Sequence, residues 1–181
     1  MAKENSAVRM ILTLVIIASV IAAAMSFVNK LTAPIIEKNE QEALNKSLAV
    51  VLPADSYEVL SENENAFVYG AKKDGVTIGV CVVNSVKGYG GDIKIMSGIL
   101  SSGVVNKIEI LDMSETAGLG ANAKKDSYKS QYEGKSGVIG VSKTQKSETE
   151  ILAISGATIT SKAVTEAVNE AIEIAKQWGD K

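Results

Sequence analysis

The chain has 181 residues, 46% of them hydrophobic, a formal net charge of −2 and no histidine. That length suits one ordinary domain plus an appendage. The charge argues against a nucleic-acid partner, which demands a basic footprint, and the missing histidine removes Ser-His-Asp chemistry, His-ligated zinc and His acid–base catalysis.

Residues 10–28, "MILTLVIIASVIAAAMSFV", carry no charge, while Arg9 and Lys30 stand just outside. About nineteen helical residues reach roughly 28 Å, close to the thickness of bilayer hydrocarbon. Lys3, Arg9 and "AAAM" also fit a cleaved signal peptide, but the apolar run continues through Phe27 and Val28, so a retained membrane anchor over 1–30 is expected. Lys3, Arg9 and the free amine precede the span, and Lys30 and Lys38 follow it. The tally leans toward a cytoplasmic amino terminus, with the rest outside the cytoplasm.

Over 31–52, Leu31, Ile35, Leu44, Leu48 and Val51 recur at helical spacing with charges between, which predicts an amphipathic linker helix. Pro34 fits a first turn or a kink, and Pro53 ends the helix. A domain over 53–181 follows. Strands at 66–71 and 76–86 flank "KKDG", an Asp-Gly hairpin signal. Strands at 92–100 and 104–113 flank "SSG". Cys81 lies in "IGVCVV" and reads as a buried, inert thiol. Residues 124–135, "KKDSYKSQYEGK", read as a solvated loop or short helix without chemistry. "SGVIGVSK" and "TEILAI" supply two more short strands.

The last helix is marked by Val164, Val168, Ala171, Ala175 and Trp178 at steps of four and three. Trp178 reads as a packing residue, Gly179 closes the helix, and Thr160 or Ser161 is expected to cap its start. Strands followed by a terminal helix give an α+β domain of antiparallel strands.

Directly before that helix stands "SGATITS", residues 155–161. A helix start offers unpaired N–H groups and partial positive charge, so a phosphate nearby is stabilised. Gly156 permits a sharp turn and close approach. Taken alone, the stretch fits either a phosphate site at Thr158 or a plain helix cap.

"SGATITS" resembles the flavinylation motif of the FMN-binding domain family. That family includes the C-type subunit of Na⁺-translocating NADH:quinone reductase and the G-type subunit of the Rnf electron-transport complex. "SETAGLGANA" is similar to the family's Glu-Thr-Pro-Gly-Leu-Gly segment, and "KGYGGDI" resembles a glycine-rich segment near the cofactor. The sequence departs from the pattern at Leu152, where Asp is common three residues before the Ser, and at Ala117, where Pro is usual. The resemblance extends over most of the chain, and its short length favours the Rnf protein.

The resemblance implies covalent FMN, esterified through its phosphate to Thr158, with Ser155, Gly156, Ala157 and Thr160 around the attachment. It places Glu115, Thr116, Gly118, Leu119 and Gly120 against the ring, and Lys87 or Tyr89 near the flavin or its phosphate. No catalytic residue of its own and no metal ligand is expected. The chain would be a single-pass membrane electron carrier in an ion-translocating ferredoxin:NAD⁺ oxidoreductase, beside membrane and iron–sulfur subunits, after loading by a flavin transferase. A stand-alone extracytoplasmic flavoprotein, and an unmodified membrane-anchored scaffold in which Thr158 only helps to cap a helix, remain open readings.

Overall fold

The computed structural model of the protein describes residues 2–62 and 66–178. Gly179, expected to close the last helix, lies outside them. Two compact units divide the chain at Leu44/Asn45.

The span and the linker form one helix, α1 (Ala2–Val51), which runs through Pro34. Over 10–28 its large apolar side chains are exposed, as expected of a surface that faces lipid rather than a protein core. This helix is long and apolar enough to cross a membrane. The expected amphipathic face is buried only at its end. Leu31 and Ile35 are exposed, whereas Leu48, Val51 and the following Leu52 are buried in the second unit. Each such side chain, fully buried, stabilises by about 1.5–3 kcal/mol. Gly98 makes room for this turn, because a Cβ there would stand 2.3 Å from the Val51 carbonyl oxygen.

The second unit is built on a five-stranded antiparallel meander in sequential order. Its strands are β1 (Ser56–Glu62), β2 (Ala66–Lys73), β3 (Val76–Lys87), β4 (Asp92–Leu100) and β5 (Val105–Met113). Both expected hairpins are present. β1 is an additional edge strand, paired with β2.

Between β5 and the last helix the chain forms a 3₁₀ turn (Gly120–Lys124), a short helix α2 (Asp126–Lys129), and the strands β6 (Gly140–Ser142) and β7 (Glu150–Leu152). The pair β6–β7 is parallel, unlike the rest of the sheet structure. The solvated reading of 124–135 is corrected. Tyr128, Lys129, Tyr132 and Lys135 are buried. Lys129 pairs with Glu109 and Asp126, and the Lys135 ammonium donates to the carbonyls of Ser147 and Glu148.

The last helix, α3 (Thr158–Lys176), packs on β3 and β4. Val80, Val82, Ile93, Ile95 and Ile108 meet Val164, Val168 and Ile172 in the core, and Trp178 packs at its margin. Cys81 alternates onto the opposite face of β3. It is fully buried, and burial pushes its thiol up to about 12.

Candidate cofactor site at the start of the last helix

Three separate segments meet where α3 begins: the turn after β3, the stretch after β5, and residues 156–160. They enclose a cavity of about 420 Å³. Leu119, Ile159 and Tyr89 give it apolar walls, while Thr116, Thr158 and Thr160 bring hydroxyls. Ala157 and Gly120 are also in the lining.

Glu115 holds the segments together. Its Oε1 accepts hydrogen bonds from the backbone N–H groups of Tyr89 (2.7 Å) and Gly90 (3.1 Å), and its Oε2 accepts one from the Thr160 hydroxyl (2.9 Å). Bonds to a carboxylate are stronger than neutral ones. Glycine is needed for this approach. A Cβ on Gly88 would stand 2.2 Å from Glu115 Oε1, and one on Gly120 would stand 2.4 Å from Oε2.

The cap expectation is corrected: the residue before the first turn is Ala157, and no side chain among the described residues caps the helix. Thr158 is therefore the first helical residue. Ser161 N–H bonds the Ala157 carbonyl at 3.0 Å, which leaves the N–H groups of residues 158–160 without an acceptor among the described residues. Ser161 works from below instead. Its hydroxyl accepts from Ile154 N–H (2.9 Å) and donates to the Ala157 carbonyl (3.0 Å).

A buried hydroxyl chain anchors this turn. Thr165 donates to the Ser161 carbonyl (2.9 Å), Tyr132 bonds Thr165 (2.8 Å), and Tyr128 bonds Tyr132 (3.0 Å). Burial pushes both tyrosine hydroxyls up, so they remain neutral donors and acceptors. Gly156, at φ +75°, makes the turn into the helix, and a Cβ there would stand 3.0 Å from Leu119 Cδ2.

Of the residues singled out in the sequence, Tyr89, Glu115, Thr116, Leu119, Gly120, Gly156, Ala157, Thr158 and Thr160 line the cavity. Ser155, Gly118 and Lys87 do not. Gly118 turns the chain at φ +77°, and Lys87 ends β3 opposite Asp92. The sequence reading missed Ile159, which lies inside "GATIT", and the close backbone passage at Gly88 and Gly90. No Lys or Arg among the described residues lines the cavity, so an anion there meets backbone N–H groups and the helix dipole.

This arrangement fits a flavin phosphate bound at Thr158. The open N–H groups suit the phosphate, and Leu119, Ile159 and Tyr89 suit the faces of an aromatic ring.

A family described as FMN-binding domain matches residues 88–173, and one described as RnfG N-terminal region matches 1–51. The chain is 35% identical over 159 residues to the G component of the proton-translocating ferredoxin:NAD(+) oxidoreductase complex of Clostridium ljungdahlii, covering 87% of this chain and 83% of that one.

The chain belongs to the RnfG family.

To the Na(+)-translocating counterpart of Acetobacterium woodii this RnfG family member is 34% identical, over 90% of this chain and 88% of that one. Its fold resembles that of NqrC from Shewanella oneidensis, with a TM-score of 0.52 and 16% identity over 70% of this chain and 67% of that one.

Proposed function

We propose that this RnfG family member is the membrane-held electron carrier of an ion-translocating ferredoxin:NAD⁺ oxidoreductase complex, with FMN esterified through its phosphate to Thr158. One observation carries the attachment. Thr158 opens α3 beside a cavity where three helix N–H groups have no acceptor among the described residues.

Bound there, the flavin supplies the redox chemistry. The protein's residues attach and orient it. The Thr158 side-chain oxygen makes the phosphoester, and the N–H groups of 158–160 neutralise the remaining phosphate charge. Leu119, Ile159 and Tyr89 flank the ring. Glu115 keeps the three walls together.

The basic residues before the span favour a domain outside the cytoplasm. In that location a reversibly bound cofactor is lost by dilution, because occupancy depends on free ligand relative to Kd. An ester removes that dependence. A separate flavin transferase makes the bond, the Thr158 oxygen taking the FMN phosphoryl group of FAD with release of AMP and a proton.

The test is coexpression with that transferase, followed by denaturing electrophoresis under ultraviolet light. The wild-type chain is expected to fluoresce and Thr158→Ala to stay dark. A dark wild type, or a fluorescent Thr158→Ala, overturns the attachment. Recovery of the chain from mild detergent as a lone monomer overturns its place in a complex.

A further inference from the structure

A second and larger depression, of about 940 Å³, runs along α3 from Lys162 to Ile174 and shares no lining residue with the flavin cavity. Lys162, Glu166, Glu170 and Ile174 mark one side, Val138 the other, and Asn84 of β3 also lines it. From 162 to 174 the helix rises roughly 18 Å. That length matches about five residues of extended chain.

The groove is preformed. Asn169 ties its far wall to the helix twice, accepting from Ile139 N–H (2.9 Å) and donating to the Ile139 carbonyl (2.9 Å). A wall fixed in advance loses little entropy when a ligand binds.

Two features describe the chemistry of this groove. Asn84 is 3% exposed; its Nδ2 donates to the Ala167 carbonyl (3.0 Å) and to Glu170 Oε2 (3.1 Å), but its Oδ1 is buried with no partner among the described residues. A buried acceptor without a donor is costly and calls for one from elsewhere. The charges are also unbalanced. Glu173 pairs with Lys176, whereas Glu166 and Glu170 have no ion pair among the described residues, and Lys162 stands at the amino-terminal end. Val138, 78% exposed, adds an apolar rim.

We propose that this groove docks a short basic segment, with Lys or Arg among apolar residues, from another protein of the same membrane assembly. The proposal rests on the assembly reading above. The cationic side chains meet Glu166 and Glu170, an N–H of the segment supplies the donor that Asn84 Oδ1 lacks, and an apolar side chain covers Val138. Complementary charge sets partner choice and register.

The test uses the full chain in native membranes. A photo-crosslinking phenylalanine derivative at position 138 is expected to form an adduct with a Lys- or Arg-bearing segment of another subunit. The same group at Val76, an exposed residue at the start of β3, is expected to give no adduct with that segment. Glu166→Lys should lower the fraction of chain retained in the detergent-solubilised assembly about fivefold at fixed salt, and Glu166→Gln by less, with flavin fluorescence of the chain unchanged. No adduct at 138, or an adduct with lipid or with an acidic or uncharged segment, from membranes where the chain still co-purifies with its assembly overturns the groove proposal alone. Unchanged retention of Glu166→Lys in such membranes overturns it too. A chain that co-purifies with no other subunit overturns both this proposal and the assembly reading.

Discussion

The second unit contains the last turn of α1 and the first turn of α3, and these two helix ends are finished differently. The last turn of α1 is closed. Its Val51 carbonyl accepts from Asn106 Nδ2 at 2.7 Å, and Leu48, Val51 and Leu52 are buried around it. The first turn of α3 is open. Ala157 offers no side-chain cap, and three N–H groups stand beside a cavity without an acceptor among the described residues. Backbone groups at a helix end must be satisfied by something. At α1 the protein does this itself; at α3 the proposed flavin phosphate would do it.

The contrast is broken most directly at Thr158. Thr158→Ala should abolish covalent flavin while leaving the thermal midpoint within about 2 °C of wild type, because a half-buried hydroxyl without a partner among the described residues contributes little to folding. Fluorescence of the denatured chain and a thermal melt read the two effects.

Gly120→Ala attacks the wall of the open end. Its Cβ would sit 2.4 Å from Glu115 Oε2 and 2.7 Å from Thr160 Oγ1, so Glu115 must release one of its partners. A stability loss of about 1–3 kcal/mol is expected by denaturant titration, with flavin loading reduced severalfold.

Asn106→Ala is the counterpart at the closed end. It leaves the Val51 carbonyl unpaired and should cost about 1–2 kcal/mol, with covalent flavin unchanged. A loss of flavin in this variant would contradict the division of labour between the two ends.

Smaller effects sharpen the picture. Cys81 keeps its proton far above the ordinary value of 9.0. Folding therefore holds a proton that the unfolded chain releases, and this contribution to stability declines as pH rises from about 9 toward 12. Native Cys81 should resist alkylation at pH 8 and react once the chain is unfolded. Leu152→Asp, which restores the family's usual residue on the exposed end of β7, should speed flavin transfer without shifting the melt. A time course of fluorescence incorporation checks it.

Much of this was legible in the sequence because the signals are local. The uncharged run at 10–28, the Asp-Gly hairpin and the four–three spacing from Val164 each specify their element within a few residues. What was missed depends on distant partners. β1, "SYEVLSE", lacks clean alternation because it is an edge strand, and its Val59 faces solvent. Tyr128 and Tyr132 sit in a string of charges, and their burial follows from Thr165 and Ser161, more than thirty residues away. β6 and β7 are three residues each, too short to declare a parallel pairing.

At the site, the glycine motifs identified most of the cavity lining. The expected cap at Thr160 or Ser161 failed for a physical reason. Thr160 is engaged by Glu115 and Ser161 by Ile154 and Ala157, so neither hydroxyl is left to close the helix.

Covalent FMN at Thr158 is tested most directly by intact-mass spectrometry of the chain matured in its own membranes, beside the Thr158→Ala variant. The wild type is expected to be heavier than its polypeptide by one FMN less one water, and the variant to have the mass of the bare chain. A wild type at the bare polypeptide mass, or a variant that keeps the added mass, would contradict the attachment.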